Sequence, residues 1–230
     1  MSAENVRTAI LNVFKNNTAV TDGFKLQLVG LLTFTNGTAT VTGINTAFRS
    51  SVNQVGDIKK GDYIRATTSS KWYKVLSVES PTSLTLDGVF AEATEASVIG
   101  YVFHLNSGVV RNIDFVAESR GIKIYHMAEV FKQENLLNVR QDAAYGFHVS
   151  AFFYEPDDAE MEVRKSVYSS LLRKAIEADL KAGPNSYLKK TDVAYMVNVS
   201  ATTFLFHPQE EGQAYFTFDI TTRGMEAVGS

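Results

Sequence analysis

The feature that most constrains the fold is a tract without helical period. Residues 34–104 alternate short strand-like runs with turn residues and nowhere repeat at three to four residues. The runs are TATVT, GDYIRA, WYKVLSV, SLTLD and SVIGYVFHL; between them stand Asn36-Gly37, Lys60-Gly61-Asp62, Ser80-Pro81 and Asp87-Gly88. Strands so short and evenly punctuated predict a small β-sandwich or barrel. The first turn opens the stretch NGTATVTGINTAF, a hairpin without charge, histidine or cysteine, which suits pairing and packing rather than chemistry.

Helical signals lie on both sides of this tract. Val6, Ile10, Val13 and Phe14 form an apolar stripe, so residues 3–15 read as a helix with Ser2 as its N-cap. The run NNTAVTDG ends it, and FKLQLVGLLTF, 24–34, is rich in strand formers. After Asn106-Ser107-Gly108, VVRNIDFVAE reads as a strand, and GIKIYHMAEVF as a strand with some helical character. YGFHVSAFFYE alternates cleanly, with Tyr145, Phe147, Val149, Ala151 and Phe153 on one face and His148, Ser150, Phe152 and Tyr154 on the other. Aromatics on both faces imply that both are covered, by a helix or by another subunit.

The longest helix is expected at 158–182. Asp157, Asp158 and Glu160 suit its positive end. Val163, Val167, Leu171 and Ala175 form one apolar row, Tyr168, Leu172, Ile176 and Leu180 widen it, and Gly183-Pro184 stops it. DVAYMVNVSATTFLF and AYFTFDITT then form a hairpin across HPQEEG. The expected class is therefore α+β: an antiparallel or mixed sheet flanked by an N-terminal helix and one long helix. Its parts are 1–33 and 105–230, and a small all-β domain, 34–104, is inserted between them.

No reactive constellation emerges. The 230 residues include no cysteine, which removes disulfides, thiolate metal sites and cysteine nucleophiles and fits folding in a reducing cytosol. A net charge of -3 argues against a protein devoted to the nucleic-acid backbone. There is no apolar run long enough to span a membrane and no secretory leader pattern. His104, His126, His148 and His207 form no short ligand pair; His126-x-x-Glu129 has metal-like spacing on a helix but lacks a third partner. Neither a nucleophile elbow nor a phosphate-binding glycine loop is present. EPDDAE, from Glu155, has the acids of a calcium loop without its central glycine, and reads as helix capping. Trp72 and Tyr73 fit either a sugar-stacking platform or, more simply, the anchor of the β-core. We therefore expect no enzyme, no metal and no cofactor. Arg164, Lys165, Arg173 and Lys174 recur along the long helix among acids, as on a solvated face or an interface rim.

Two sets of residues carry a resemblance. GTATVTGINTAFRSSV, KKGDYIRA and KWYKVLSVESPTSLTLD are similar to small β-modules embedded in virion proteins of tailed bacteriophages, with Gly61-Asp62 and the run Val78 to Asp87 as the closest match. The frame around them, ENVRTAILNVF, YGFHVSAFFYEPDD, VRKSVYSSLLRKAIEADL and strands at 193–206 and 214–222, resembles the tail terminator proteins of long-tailed phages. The inserted β-domain makes this chain longer than the simplest of them. The resemblance implies a homo-hexameric ring on the last ring of the tail tube, which stops tube polymerisation and joins the tail to the head connector. It implies a place in the virion neck after assembly in the host cytoplasm. The expected partners are the chain itself, the tube protein, the head–tail connector proteins, and DNA that passes through the lumen without specific binding. Subunit contacts are expected at Phe152, Tyr154, Arg164, Arg173 and Tyr215. The alternatives are another neck, stopper or collar protein, and a carbohydrate-binding module built on Trp72 and Tyr73.

Overall fold

A computed structural model describes residues 2–48, 58–107, 120–132, 140–190, 194, 196–206 and 213–227. In chain order its elements are α1 (Ala3–Asn16), α2 (Thr18–Phe24), β1 (Leu26–Gln27), β2 (Leu31–Phe34), β3 (Thr40–Ile44), β4 (Tyr63–Ala66), β5 (Tyr73–Ser80), β6 (Ser83–Leu86), β7 (Glu95–Val98), β8 (Gly100–Ser107), β9 (Gly121–Lys132), β10 (Arg140–Tyr154), α3 (Asp158–Lys181), β11 (Met196–Val199), β12 (Thr203–Phe206) and β13 (Gln213–Ala227). The class is α+β. The expected strand VVRNIDFVAE and the HPQEEG turn lie outside the described residues. The chain divides into two compact units, residues 1–23, 107–113 and 122–230 in one, 24–106 and 114–121 in the other.

The first unit is built on two long strands. β10 and β13 pair antiparallel along their whole lengths, from Arg140↔Ala227 to Tyr154↔Gln213. β9 lies beyond β10; β11 and β12 both pair with β13. The expected single strand before the last one is thus split. Ser200 causes the break: its Oγ accepts from the Asp219 N–H at 2.8 Å while its own N–H donates to the Asp219 carbonyl at 2.9 Å. One face of the pair is apolar along its central stretch. Phe147, Val149 and Ala151 oppose Ile220, Phe218 and Phe216, and all six are buried. α1 packs on β10 and α3 on β13, and the two helices touch. Val6, Ile10, Val13 and Phe14 of α1 are buried as their spacing requires, and the Ser2 hydroxyl accepts from Asn5 N–H.

Two details of the helices differ from the sequence reading. The segment after α1 does not simply end it; the Asn17 side chain accepts from Val20 N–H and starts α2. On α3, Val163 and Val167 point to solvent, at 57% and 47% exposure, so of the first apolar row only Ala175 is fully buried. The buried face is Met161, Lys165, Tyr168, Ser169, Leu172, Ala175 and Ile176. Lys165 fits there because its ammonium lies over the Phe204 ring and pairs with Glu162.

The second unit is a strand path β8-β4-β5-β6-β3-β2-β7, with β1 on β8. Its two ends, β7 and β8, are joined by Ile99 alone, so the sheet curls back on itself. β5 makes the corner: Tyr73 and Lys74 pair with β4, Val75 to Ser80 with β6, and the register shifts twice along the second stretch. The core is Leu28, Leu32, Phe34, Val41, Phe48, Ile58, Ile64, Ala66, Val75, Leu84, Leu86, Phe90 and Val102. Leu28, Leu32 and Phe34 precede or border the tract recognised in the sequence, yet they pack here. The expected run SVIGYVFHL is broken at Ile99, where the Leu32 side chain leaves no room for a Cβ on Gly100. Asn36-Gly37 turns β2 into β3 with Gly37 at φ +77°. β3 lies between β2 and β6, so the charge-free stretch is an interior strand.

Candidate functional site

The five expected contact residues gather at one corner of the first unit and along α3. Phe152 is 6% exposed in the single chain, so its face of β10 is already covered there; Ser150 and Thr217 beside it are also buried. Tyr154 and Tyr215 are half-buried. They are diagonal neighbours on one face, because Tyr154 opposes Gln213 and Phe152 opposes Tyr215. What is left open on this face lies on both sides of Phe152 and Ser150: Tyr154 and Tyr215 toward its end, His148 and Asp219 at its centre.

The two arginines serve the chain itself. Arg164 Nε lies 2.8 Å from the Glu155 carboxylate, which is buried and also accepts from Asp157 N–H. This triplet fixes the corner at which β10 passes through Pro156 into α3. The Asp157 carboxylate accepts from Glu160 N–H at 2.9 Å, so the acids of EPDDAE cap the helix. Arg173 donates to the Ser200 carbonyl at 2.5 Å and to Thr202 Oγ1 at 3.2 Å, which holds the split between β11 and β12 against α3. The neighbouring His148 and Asp219 are cross-strand partners, with Nδ1 2.7 Å from the carboxylate.

His126 lies on β9, not on a helix, and its ring packs against Phe147 and Tyr145. The metal-like spacing presumes a helix, and this segment is a strand. Among the described residues no group of three or more His, Asp or Glu side chains is arranged to hold a metal ion, and no helix is long and apolar enough to cross a membrane.

Trp72 is not the core anchor expected for the second unit. It is half-buried on the outside, tilted against Phe103 at 5.8 Å, with the Arg65 guanidinium 4.8 Å over its ring. Phe34, Phe48 and Phe90 anchor the core. Tyr73 stacks on Phe90 and donates to Glu92 at 3.2 Å. Glu92 also accepts from Ser70 N–H and Oγ, at 2.9 and 2.7 Å. Burial pushes its carboxyl up, but the hydrogen bonds from Ser70, Ser69 and Tyr73 outweigh this and hold it below the usual carboxylate range. The loop 67–72 is thereby pinned, and both aromatics are engaged within the unit.

Sequence reasoning missed two polar anchors. Asp62, in the Gly-Asp motif, is fully buried. Its carboxylate accepts from Lys59 N–H at 2.7 Å and lies 2.9 Å from His104 Nδ1. Gly61 beside it has φ +96°, which a side chain would strain. Asp179 on α3 accepts from Ser186 Oγ, Tyr187 N–H and Leu188 N–H at 2.8, 2.8 and 3.1 Å, which folds the chain back after the Gly183–Asn185 3-10 turn. No family model matches the chain, and no curated protein matches it.

Proposed function

We propose that the protein is a structural component of a phage virion, a tail terminator that caps the tail tube as a hexameric ring and joins it to the head connector. The observation that carries the reading is the arrangement in the first unit. A short helix and a long, acid-capped helix pack on one face of a long antiparallel strand pair, and the strand-to-helix corner is locked by Glu155 and Arg164. That order supports the terminator resemblance carried by the sequence at Tyr154 to Val163. Residues Tyr154 and Tyr215, partly open at the end of the strand pair, are the place for a heterologous subunit contact. The Phe152 ring contributes from beneath rather than directly. Arg164 and Arg173 act by positioning α3.

In this reading the protein does no covalent chemistry. One face of the ring pairs with the tube, the other offers no surface on which a further tube ring adds, and connector proteins then bind there. Electron microscopy of the protein mixed with polymerising tube protein tests it. Rings of six at one tube end, with tubes no longer elongating, are expected. Tubes that lengthen unchanged in its presence contradict the reading.

A further inference from the structure

The outer face of the second unit interleaves aromatic rings with cations. Ile64, Ala66 and Val102 belong to the β-core, so the alternation of β4 and β8 turns Tyr63, Arg65, Tyr101 and Phe103 outward. Gln27 and Arg65 flank Tyr101 on β1 and β4, and Lys74 flanks Tyr63 on β5. Phe103 and Tyr63 are buried, Phe103 against Trp72. Arg65, Trp72 and Tyr101 are half-buried, and Gln27, Lys71 and Lys74 are exposed. Lys25 Nζ lies 4.8 Å from the centre of the Tyr101 ring, and the Arg65 guanidinium lies 4.8 Å over Trp72. Arg65 makes no hydrogen bond or ion pair with the described residues, and its buried Nε has no acceptor. The nearby carboxylates do not neutralise it: Glu95 accepts from Thr68 and Ser69, and Glu92 from Ser70 and Tyr73. Asp87 stands at the Lys74 end, where its N–H donates to the Lys74 carbonyl at 2.7 Å.

We propose that this face binds single-stranded nucleic acid. Cations without matching acids fit an anionic partner, and the rings among them select one that carries planar groups. The guanidinium, backed by Trp72, takes a base on its plane and a phosphate oxygen at its edge. Lys25, Lys71 and Lys74 hold the flanking phosphates. An acidic peptide would use the cations but not the stacking, and a duplex keeps its bases stacked inside. The whole chain carries a net charge of -3, so the attraction is local to this face and sensitive to salt. The proposal stands on the second unit alone and does not rest on the tail-terminator reading.

Trp72 is the only tryptophan of the chain, so its fluorescence reports on the site directly. The test titrates the purified full chain with an oligothymidylate of about ten nucleotides, and reads both Trp72 emission and the anisotropy of a labelled strand. Saturable quenching is expected, with affinity falling as salt rises at a log–log slope of about −2, as for about three phosphates neutralised. Arg65→Ala should weaken binding by about tenfold with the far-ultraviolet circular dichroism spectrum unchanged, and Arg65→Lys should restore only part of it. Lys74→Glu, at an exposed position that folding does not need, should weaken binding and flatten the salt slope. A duplex of the same length and polyglutamate should each bind at least about tenfold more weakly. Neither quenching nor an anisotropy change at low salt overturns the proposal. So does binding that Arg65→Ala and Lys74→Glu leave unchanged. Polyglutamate or duplex binding as tight as that of the single strand overturns it too, because the face then recognises charge without bases.

Discussion

At the scale of single residues, the side chains that matter most for stability are polar ones placed in turns. Asp62 has no solvent contact and satisfies both a backbone N–H and a histidine ring. Removing it leaves those groups without their acceptor inside the β-unit, so Asp62→Ala should cost about 3 kcal/mol, read as a shift of the denaturant midpoint at unchanged slope. Glu92 gives a pH signature. Its folded carboxyl is held below the ordinary value of 4.5. The unfolded chain therefore binds more protons than the folded one in that window. The stabilisation is complete above the ordinary value and is lost as the pH falls through the folded one. Denaturant titrations at neutral pH and at about pH 3 should show that Glu92→Gln removes part of the acid-induced loss. An identical acid loss in the variant would mean that Glu92 is not its source. Neither anchor was legible from the sequence. A Gly-Asp pair signals a turn, but nothing in the letters tells a solvated turn aspartate from a buried one.

At the scale of elements, patterns with a clean period could be read, and patterns with competing periods could not. The alternation of 145–155 and the spacing of Val6, Ile10, Val13 and Phe14 each admit one geometry, and both stand as read. The long helix was placed correctly, but its apolar residues fit two overlapping rows, and periodicity alone does not choose between them. Packing on β13 selected the row of Tyr168, Leu172 and Ile176 and left Val163 and Val167 outside. Trp72 misled for a related reason: size argues for burial, but its position beside Arg65 on the outer surface decided otherwise. The segment 24–34 shows how a boundary is lost when strand formers run continuously into the next unit. Leu28, Leu32 and Phe34 pack in the β-core, so an excision must take them along. A Gly/Ser linker in place of 25–106 should leave a soluble protein with a cooperative melt. A linker in place of 36–103 should strand those three side chains in water and yield aggregated protein. Sedimentation and thermal melts of the two variants separate these outcomes. Equal solubility of both would place the strands β1 and β2 with the first unit.

At the scale of the whole molecule, the account rests on assembly. The sequence carries the class, α+β with a β-only tract, because helical and strand periods occupy separate stretches. It carries the contact surface poorly, because an interface is made by what a fold leaves uncovered. Phe152 illustrates this: the alternation places it opposite the helices, yet the single chain buries it, and the open end of the strand pair is at Tyr154 and Tyr215. A charge at that end would sit in a contact that becomes desolvated on assembly. Tyr154→Asp should therefore weaken the ring while the isolated chain keeps its fold, since Tyr154 is only half-buried there. The most direct measurement is electron microscopy of tail tubes assembled with the wild-type protein and with Tyr154→Asp, scored for a density at one tube end and for tube length. The account predicts a six-fold ring and tubes of uniform length with the wild type, and bare ends with overlong tubes for the variant. Monomers on capped tubes, or normal termination by Tyr154→Asp, would contradict it.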